Sequence, residues 1–291
     1  MDILHTYLIP VVNGFAYGLV LYTVAAGLSL AFGVADVLNL AHGTTYLAGG
    51  YVGAVLSDGT WQGLLLGIAA GGGLGAAFGG VLAVAVHPIR ERGHLAQAML
   101  TFGIALIAGH LIIEVFGAEE MRASLPAALD GGVELWGKTY PVYRLCFIAV
   151  AVVLAVAGWV VLARTRLGAR IRATVDDRDM VATLGTRPRS VMAGVLVAAG
   201  LLAGLGGVLG APIIGLGTGT AHHILLLSLI IVVLGRPGSL AGALAASLFV
   251  GHVQNLGIVL FPSAAPYLLF AAMAVVLVVR AGTGLTTARA H

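Results

Sequence analysis

Residues 164–190 read RTRLGARIRATVDDRDMVATLGTRPRS, held between PVYRLCFIAVAVVLAVAGWVVLA (141–163) and VMAGVLVAAGLLAGLGGVLGAPII (191–214). Seven of the chain's 15 Lys and Arg residues fall in the central stretch, in a chain that is 59% apolar and 9% charged. Each flank is long enough to cross roughly 30 Å of hydrocarbon as a helix. A cationic segment between two such runs is a loop between membrane spans. That reading sets the fold class: an all-α, polytopic integral membrane protein.

Composition agrees. A mean hydropathy of +1.04 lies far outside the soluble norm. The 15 Lys and Arg and 12 Asp and Glu are too few to cover a water-soluble fold of 291 residues. The apolar runs are continuous rather than alternating, which favours helices over a barrel. The single cysteine, Cys146, has no partner for an intrachain disulfide. The N-terminal Met-Asp-Ile-Leu-His lacks a basic region, so no cleavable leader is expected. The net charge of +3 is too small, and too concentrated beside the spans, to point to nucleic acid.

Working outward from the basic loop gives about nine spans, with eight to ten allowed, in one transmembrane domain over residues 1–291. They cover about 8–33, 40–56, 61–86, 95–116, 141–163, 191–214, 221–234, 240–260 and 266–279. The segments near 35–56 and 221–234 are short enough to be broken or re-entrant. The loops at 87–94 and 164–189, and the tail after Val279 with Arg280, carry arginine and are expected in the cytoplasm. The acidic loop 117–140 and the N-terminus then lie outside.

Several features could carry chemistry. Glycines recur at four-residue spacing (Gly49 and Gly53; Gly71, Gly75 and Gly79; Gly200 and Gly204; Gly206 and Gly210), the pattern of close helix packing. The element Asp36-Val37-Leu38-Asn39-Leu40-Ala41-His42-Gly43 places polar groups at a helix break. Such groups are costly in lipid unless they are paired or face a cavity. Asp36, Asn39, His42 and Gly43 are therefore candidates for a solute path. The competing reading puts Asp36 at the aqueous boundary, where it caps the next helix, with Asn39 and His42 hydrogen-bonded to neighbouring spans. His222 and His223 are further path candidates at a broken-helix entrance. Adjacent histidines on a helix point apart, so no metal or other cofactor is expected there. His110, His252, Gln254 and Asn255 read as interhelical hydrogen-bonders. The lone Lys138 and the absence of a phosphate-loop motif exclude an ATPase within this chain, and no catalytic constellation stands out.

The basic loop itself is longer than topology control needs. Asp177 to Leu184 lacks Gly and Pro, which predicts a short helix ended by Gly185 and lying along the membrane surface. This is the expected contact point for another subunit. Arg170, Arg172, Asp176, Asp177, Arg178, Asp179, Ala182, Leu184, Gly185 and Arg187 are its candidate residues.

Four places resemble the permease subunits of branched-chain amino acid ABC importers. Asn13-Gly14 leading into Gly27-Leu28-Ser29-Leu30-Ala31-Phe32-Gly33-Val34 resembles the family's opening span. Leu38-Asn39-Leu40-Ala41-His42-Gly43 is similar to its Asn-Phe-Ala-His-Gly element. Arg172-Ala173 through Ala182-Thr183-Leu184-Gly185 resembles the coupling loop, with Asp179-Met180-Val181 and Gly185 at the positions of Glu-Ala-Ala and its Gly. Val233 to Ala243 is similar to a late Leu-Gly-Gly-x-Gly-Ser signature, from which Arg236 and Pro237 depart. The resemblance implies a multi-pass subunit of a bacterial inner membrane, itself not an enzyme. It implies as partners two cytoplasmic ATPases, a second related permease and an external solute-binding protein. The cargo would be a branched-chain or related small amino acid. Another small polar solute (urea, an amide, an organic acid), or an autonomous carrier or channel, stays open.

Overall fold

The computed structural model describes residues 2–135, 137–264, 267–276 and 278. Arg280 and the rest of the expected cytoplasmic tail lie outside these. The chain folds as helices α1 (Asp2–Gly33), α2 (His42–Leu56), α3 (Trp61–Val86), α4 (His94–Phe116), α5 (Val142–Arg164), α6 (Arg166–Asp176), α7 (Arg178–Thr183), α8 (Pro188–Ile214), α9 (Thr220–Gly235) and α10 (Leu240–Leu260). A further short apolar helix spans Tyr267–Val276. Among the described residues, six helices are long and apolar enough to cross a membrane: α1, α3, α4, α5, α8 and α10. The shorter α2, α9 and Tyr267–Val276 make up the remaining apolar segments. The protein is an all-α multi-pass membrane protein.

The helix ends follow from their sequence. Thr60, Thr165 and Ser239 cap α3, α6 and α10 through side-chain oxygens that accept the amides of Gly63, Gly168 and Gly242. Asp58 precedes α3 in the turn 57–60. Its carboxylate accepts from the Thr60 hydroxyl at 2.6 Å and the Thr60 amide at 2.9 Å, which holds its pKa below the ordinary carboxylate range. Two elements go beyond the sequence expectation. Residues 87–92 form a 3-10 turn, and the loop after α4 contains an antiparallel hairpin, β1 (Gly132–Leu135) with β2 (Lys138–Pro141).

Helix α1 lies at the centre: Val20, Leu21, Val24, Ala25 and Ala31 are fully buried. It packs on α10, α8, α9 and α5. A second packing centre joins α3 to α8 through the expected glycines. A Cβ added at Gly75 would strike the Gly200 carbonyl oxygen and lie 2.9 Å from Gly204 Cα. The backbones touch there because neither helix carries a side chain at the seam. Helices α4 and α5 expose most of their apolar length, including Leu106, Ile107, Val153 and Val156.

The turns sort to two ends. At one, Gly238 N donates to Ser29 O (2.9 Å), and the carboxylate of Asp36 meets His94 and Arg178. At the other, Met121 N donates to Leu216 O (2.9 Å) and Asp58 bridges to Ser124. The first end holds the arginines of segments 87–93, 164–189 and 235–239. The second holds Glu119, Glu120, Asp130 and Glu134, with Arg122, Lys138 and Arg144 as its Lys and Arg residues.

Candidate functional site

The basic loop folds as two helices. The expected helix over Asp177–Leu184 is present as α7, and α6 precedes it. Asp177 Oδ1 accepts the amides of Asp179 (3.0 Å) and Met180 (2.9 Å), capping α7. Gly185 ends it at φ +81. Gly185 N donates to Ala182 O (3.1 Å) and Thr186 N to Val181 O (3.2 Å), the paired closure of a Schellman turn. Val181 is buried and anchors α7, while Met180 and Leu184 are exposed. Asp179 and Ala182 are exposed as well. The result is a short, firmly capped helix presenting apolar side chains outward from a cationic surface.

Helix α6 folds back against the end of α5. A Cβ at Gly168 would collide with the Leu162 carbonyl oxygen, so glycine permits this close turn. The Arg172 guanidinium donates to that same Leu162 oxygen. Arg170 and Arg187 stand at the mouth of a large cavity between α1, α5 and α8. Asp176 and Arg172 line a neighbouring one of about 800 Å³.

Arg178, the first residue of α7, reaches across to the break between α1 and α2. Its guanidinium lies 3.9 Å from Asp36 Oδ2, while Asp36 Oδ1 accepts from His94 Nε2 at 3.0 Å. Asp36 has φ +59, a left-handed conformation that Asp tolerates better than most residues. The non-helical backbone of the break is satisfied by neighbours. Arg90 donates to Ala35 O (3.0 Å) and to the Met192 sulfur. Thr101 Oγ1 accepts Leu40 N (3.1 Å) and lies 3.1 Å from Leu38 O. Asn39 Oδ1 accepts Ala41 N (3.0 Å). A non-helical segment beside lipid persists only with this kind of polar accounting.

The six path candidates separate. Asp36 is half exposed at the basic end. Asn39 and His42 are buried. His42 Nε2 donates to Val24 O at 2.9 Å, tying α2 to α1. Gly43 lies against the Ala221 carbonyl oxygen, where a Cβ would not fit. His223 Nε2 is 3.3 Å from the Tyr17 hydroxyl. His222 points the other way, into a cavity of about 230 Å³ between α2, α4 and α9, with Thr44, Tyr51, His110 and Phe102 on its wall. Among the described residues no group of three His, Cys, Asp or Glu is placed to hold a metal. His252 and Asn255 bond carbonyls of their own helix, Leu248 O and Gly251 O, rather than bridging helices.

Sequence reading missed Arg90, His94 and Thr101. Arg90 and His94 read as loop charges, and Thr101 as one polar residue in an apolar span. Their common role, serving a break far away in sequence, has no local signature.

Comparison with known proteins points the same way. The family described as "Branched-chain amino acid transport system / permease component" matches residues 11–279. The high-affinity branched-chain amino acid transport system permease protein BraD of Pseudomonas aeruginosa is 25% identical over 272 residues, covering 88% of each chain. The corresponding permease protein LivH of Escherichia coli K12 is 25% identical over 267 residues, covering 84% of this chain and 83% of LivH. LivH of Salmonella typhimurium is 23% identical over 265 residues with the same coverage. No solved structure matches the chain. An opening span, a stitched break, a two-helix basic loop and a family match over nearly the whole length lead to one conclusion: this chain belongs to the permease family of branched-chain amino acid transport systems.

Proposed function

We propose that the chain is the membrane-spanning subunit of an ATP-driven importer for branched-chain or related small amino acids. It works with a second permease, two cytoplasmic ATPases and an external solute-binding protein. The observation that carries this reading is the contact between α7 and the α1–α2 break, Arg178 to Asp36. Helix α7 offers exposed Met180 and Leu184 for a partner to grip. Its firm capping lets it move as a body. A push on it is delivered through Asp36 to the segment that also holds Asn39, His42 and Gly43, and from Gly43 to α9.

The mechanism is alternating access between two states. Nucleotide shifts such an equilibrium only if it favours one state over the other, and moving from 1:99 to 99:1 takes about 5.5 kcal/mol of differential binding. The α6–α7 loop is where that difference enters the membrane. The small cavity beside His222 is walled by Leu40, Leu47, Phe102 and Leu225, a lining suited to an apolar side chain. Positive-inside asymmetry puts the α6–α7 end in the cytoplasm.

The test is mild-detergent purification of the tagged chain from its native membrane. Recovery of two ATPases and a second permease, with ATPase activity stimulated by amino-acid-loaded binding protein, is the expected result. A chain that purifies alone and moves solute in liposomes without ATP would make it an autonomous carrier.

A further inference from the structure

A cavity of about 840 Å³ lies between α1, α5 and α8 and beneath α6. Its walls are mostly apolar, and among the described residues its lining includes two cations, Arg170 and Arg187, and no acid. Gly158 and Gly194 face it, and a Cβ at Gly194 would have nothing within 4 Å. Helix α6 turns its apolar side toward this space: Leu167 and Ile171 line it, and Leu167 is 62% exposed. On the same α5 that forms one wall, the Arg164 guanidinium sits 5.9 Å above the Trp159 ring. An aromatic ring paired with arginine at a span end marks the headgroup level of a bilayer. The cationic mouth of the cavity lies one short turn beyond it, on α6 and at the start of α8.

We infer that this cavity is a binding site for an anionic phospholipid. The acyl chains lie between α1, α5 and α8, and the headgroup phosphate is held by Arg170 and Arg187. The chemistry separates this occupant from a transmembrane helix of another subunit. A helix would fill the apolar volume but leave both guanidinium groups without a counter-charge at the membrane surface. A basic pocket between spans at the headgroup level takes an anionic lipid. A lipid seated there would also support α6 from below, filling the hollow under the first helix of the basic loop.

The test uses the purified full-length chain in neutral detergent. Native mass spectrometry counts retained lipid after incubation with phosphatidylglycerol or with phosphatidylcholine of the same acyl chains. Wild type should retain phosphatidylglycerol in preference by about ten- to thirtyfold, the size expected of two cations at a headgroup. Arg170→Gln with Arg187→Gln should erase that preference. Gly194→Leu, which fills the cavity without touching the cations, should lower retention of both lipids at this site. Equal retention by wild type, or a preference unchanged in the double variant, would overturn the assignment. So would a crosslink from the Gly194→Cys variant to a second permease subunit, which would show a helix in the cavity.

Discussion

Asp36 carries two partners on one carboxylate and a backbone conformation that few side chains accept. Its contact with Arg178 is half exposed, and an ion pair in that setting contributes about 0–1 kcal/mol to stability. Little of the fold's stability therefore rests on this pair; its proposed role is transmission. The cap on α7 has a different weight. Asp177→Ala removes the acceptor for two amides and should loosen α7 by about 0.5–2 kcal/mol. ATP-driven uptake should fall while the amount of protein in the membrane stays normal, as read by immunoblot and transport assay on the same vesicles. Gly185→Val should behave alike, because a β-branched side chain at φ +81 is strained by about 1–2 kcal/mol. Normal uptake in either variant would remove α7 from the coupling account. The sequence showed the stop at Gly185, a local pattern, but counted Asp177 inside the helix rather than as its cap. It did not show the Arg178–Asp36 pair, because nothing local links a loop arginine to a break so far upstream.

At the level of elements, the α3–α8 seam sorts glycines that look alike in sequence. Gly73 and Gly75 lie in one glycine-rich run, but Gly73 faces open space and Gly75 the backbone of α8. Gly75→Ala should force the helices apart and cost about 1–3 kcal/mol. Gly73→Ala should be neutral or stabilising by up to about 1 kcal/mol. Detergent-induced unfolding of the purified chain, monitored by circular dichroism, separates the two. Equal effects would mean that the seam does not depend on backbone contact. The limits of α3, α4, α5, α9 and α10 were legible to within a residue, because a run of apolar side chains long enough to cross lipid has few other uses, while α1 and α8 begin six and three residues earlier than expected. Helix α6 was not legible, since Gly168 reads as a weak point in a helix. Here it is the residue that lets α6 turn tightly under α5.

For the whole molecule, the two ends differ in charge, and the turns assigned to each end by alternation are those that meet in space. Single cysteines in a Cys146→Ser background should therefore divide cleanly. Labels confined to the cytoplasm should reach positions 92 and 185, and labels confined to the exterior should reach 119 and 134. Residue 185 reacting from outside would invert the topology. Fold class and family were visible because they rest on composition and on motifs spread along the chain. Where the six path candidates sit was not legible, because burial cannot be read from residue type: Asn39 and His42 are buried, and His222 lines the small cavity between α2, α4 and α9. The central claim is that α7 acts through Asp36. A double-mutant cycle tests it on ATP-driven uptake by the reconstituted importer, with Asp36→Asn, Arg178→Gln and both together. Asparagine keeps the left-handed backbone and removes the charge. Each single change should lower uptake severalfold, and the double variant should be no worse than the poorer single one, because both remove one contact. Effects that multiply, or singles that transport normally, would contradict the claim.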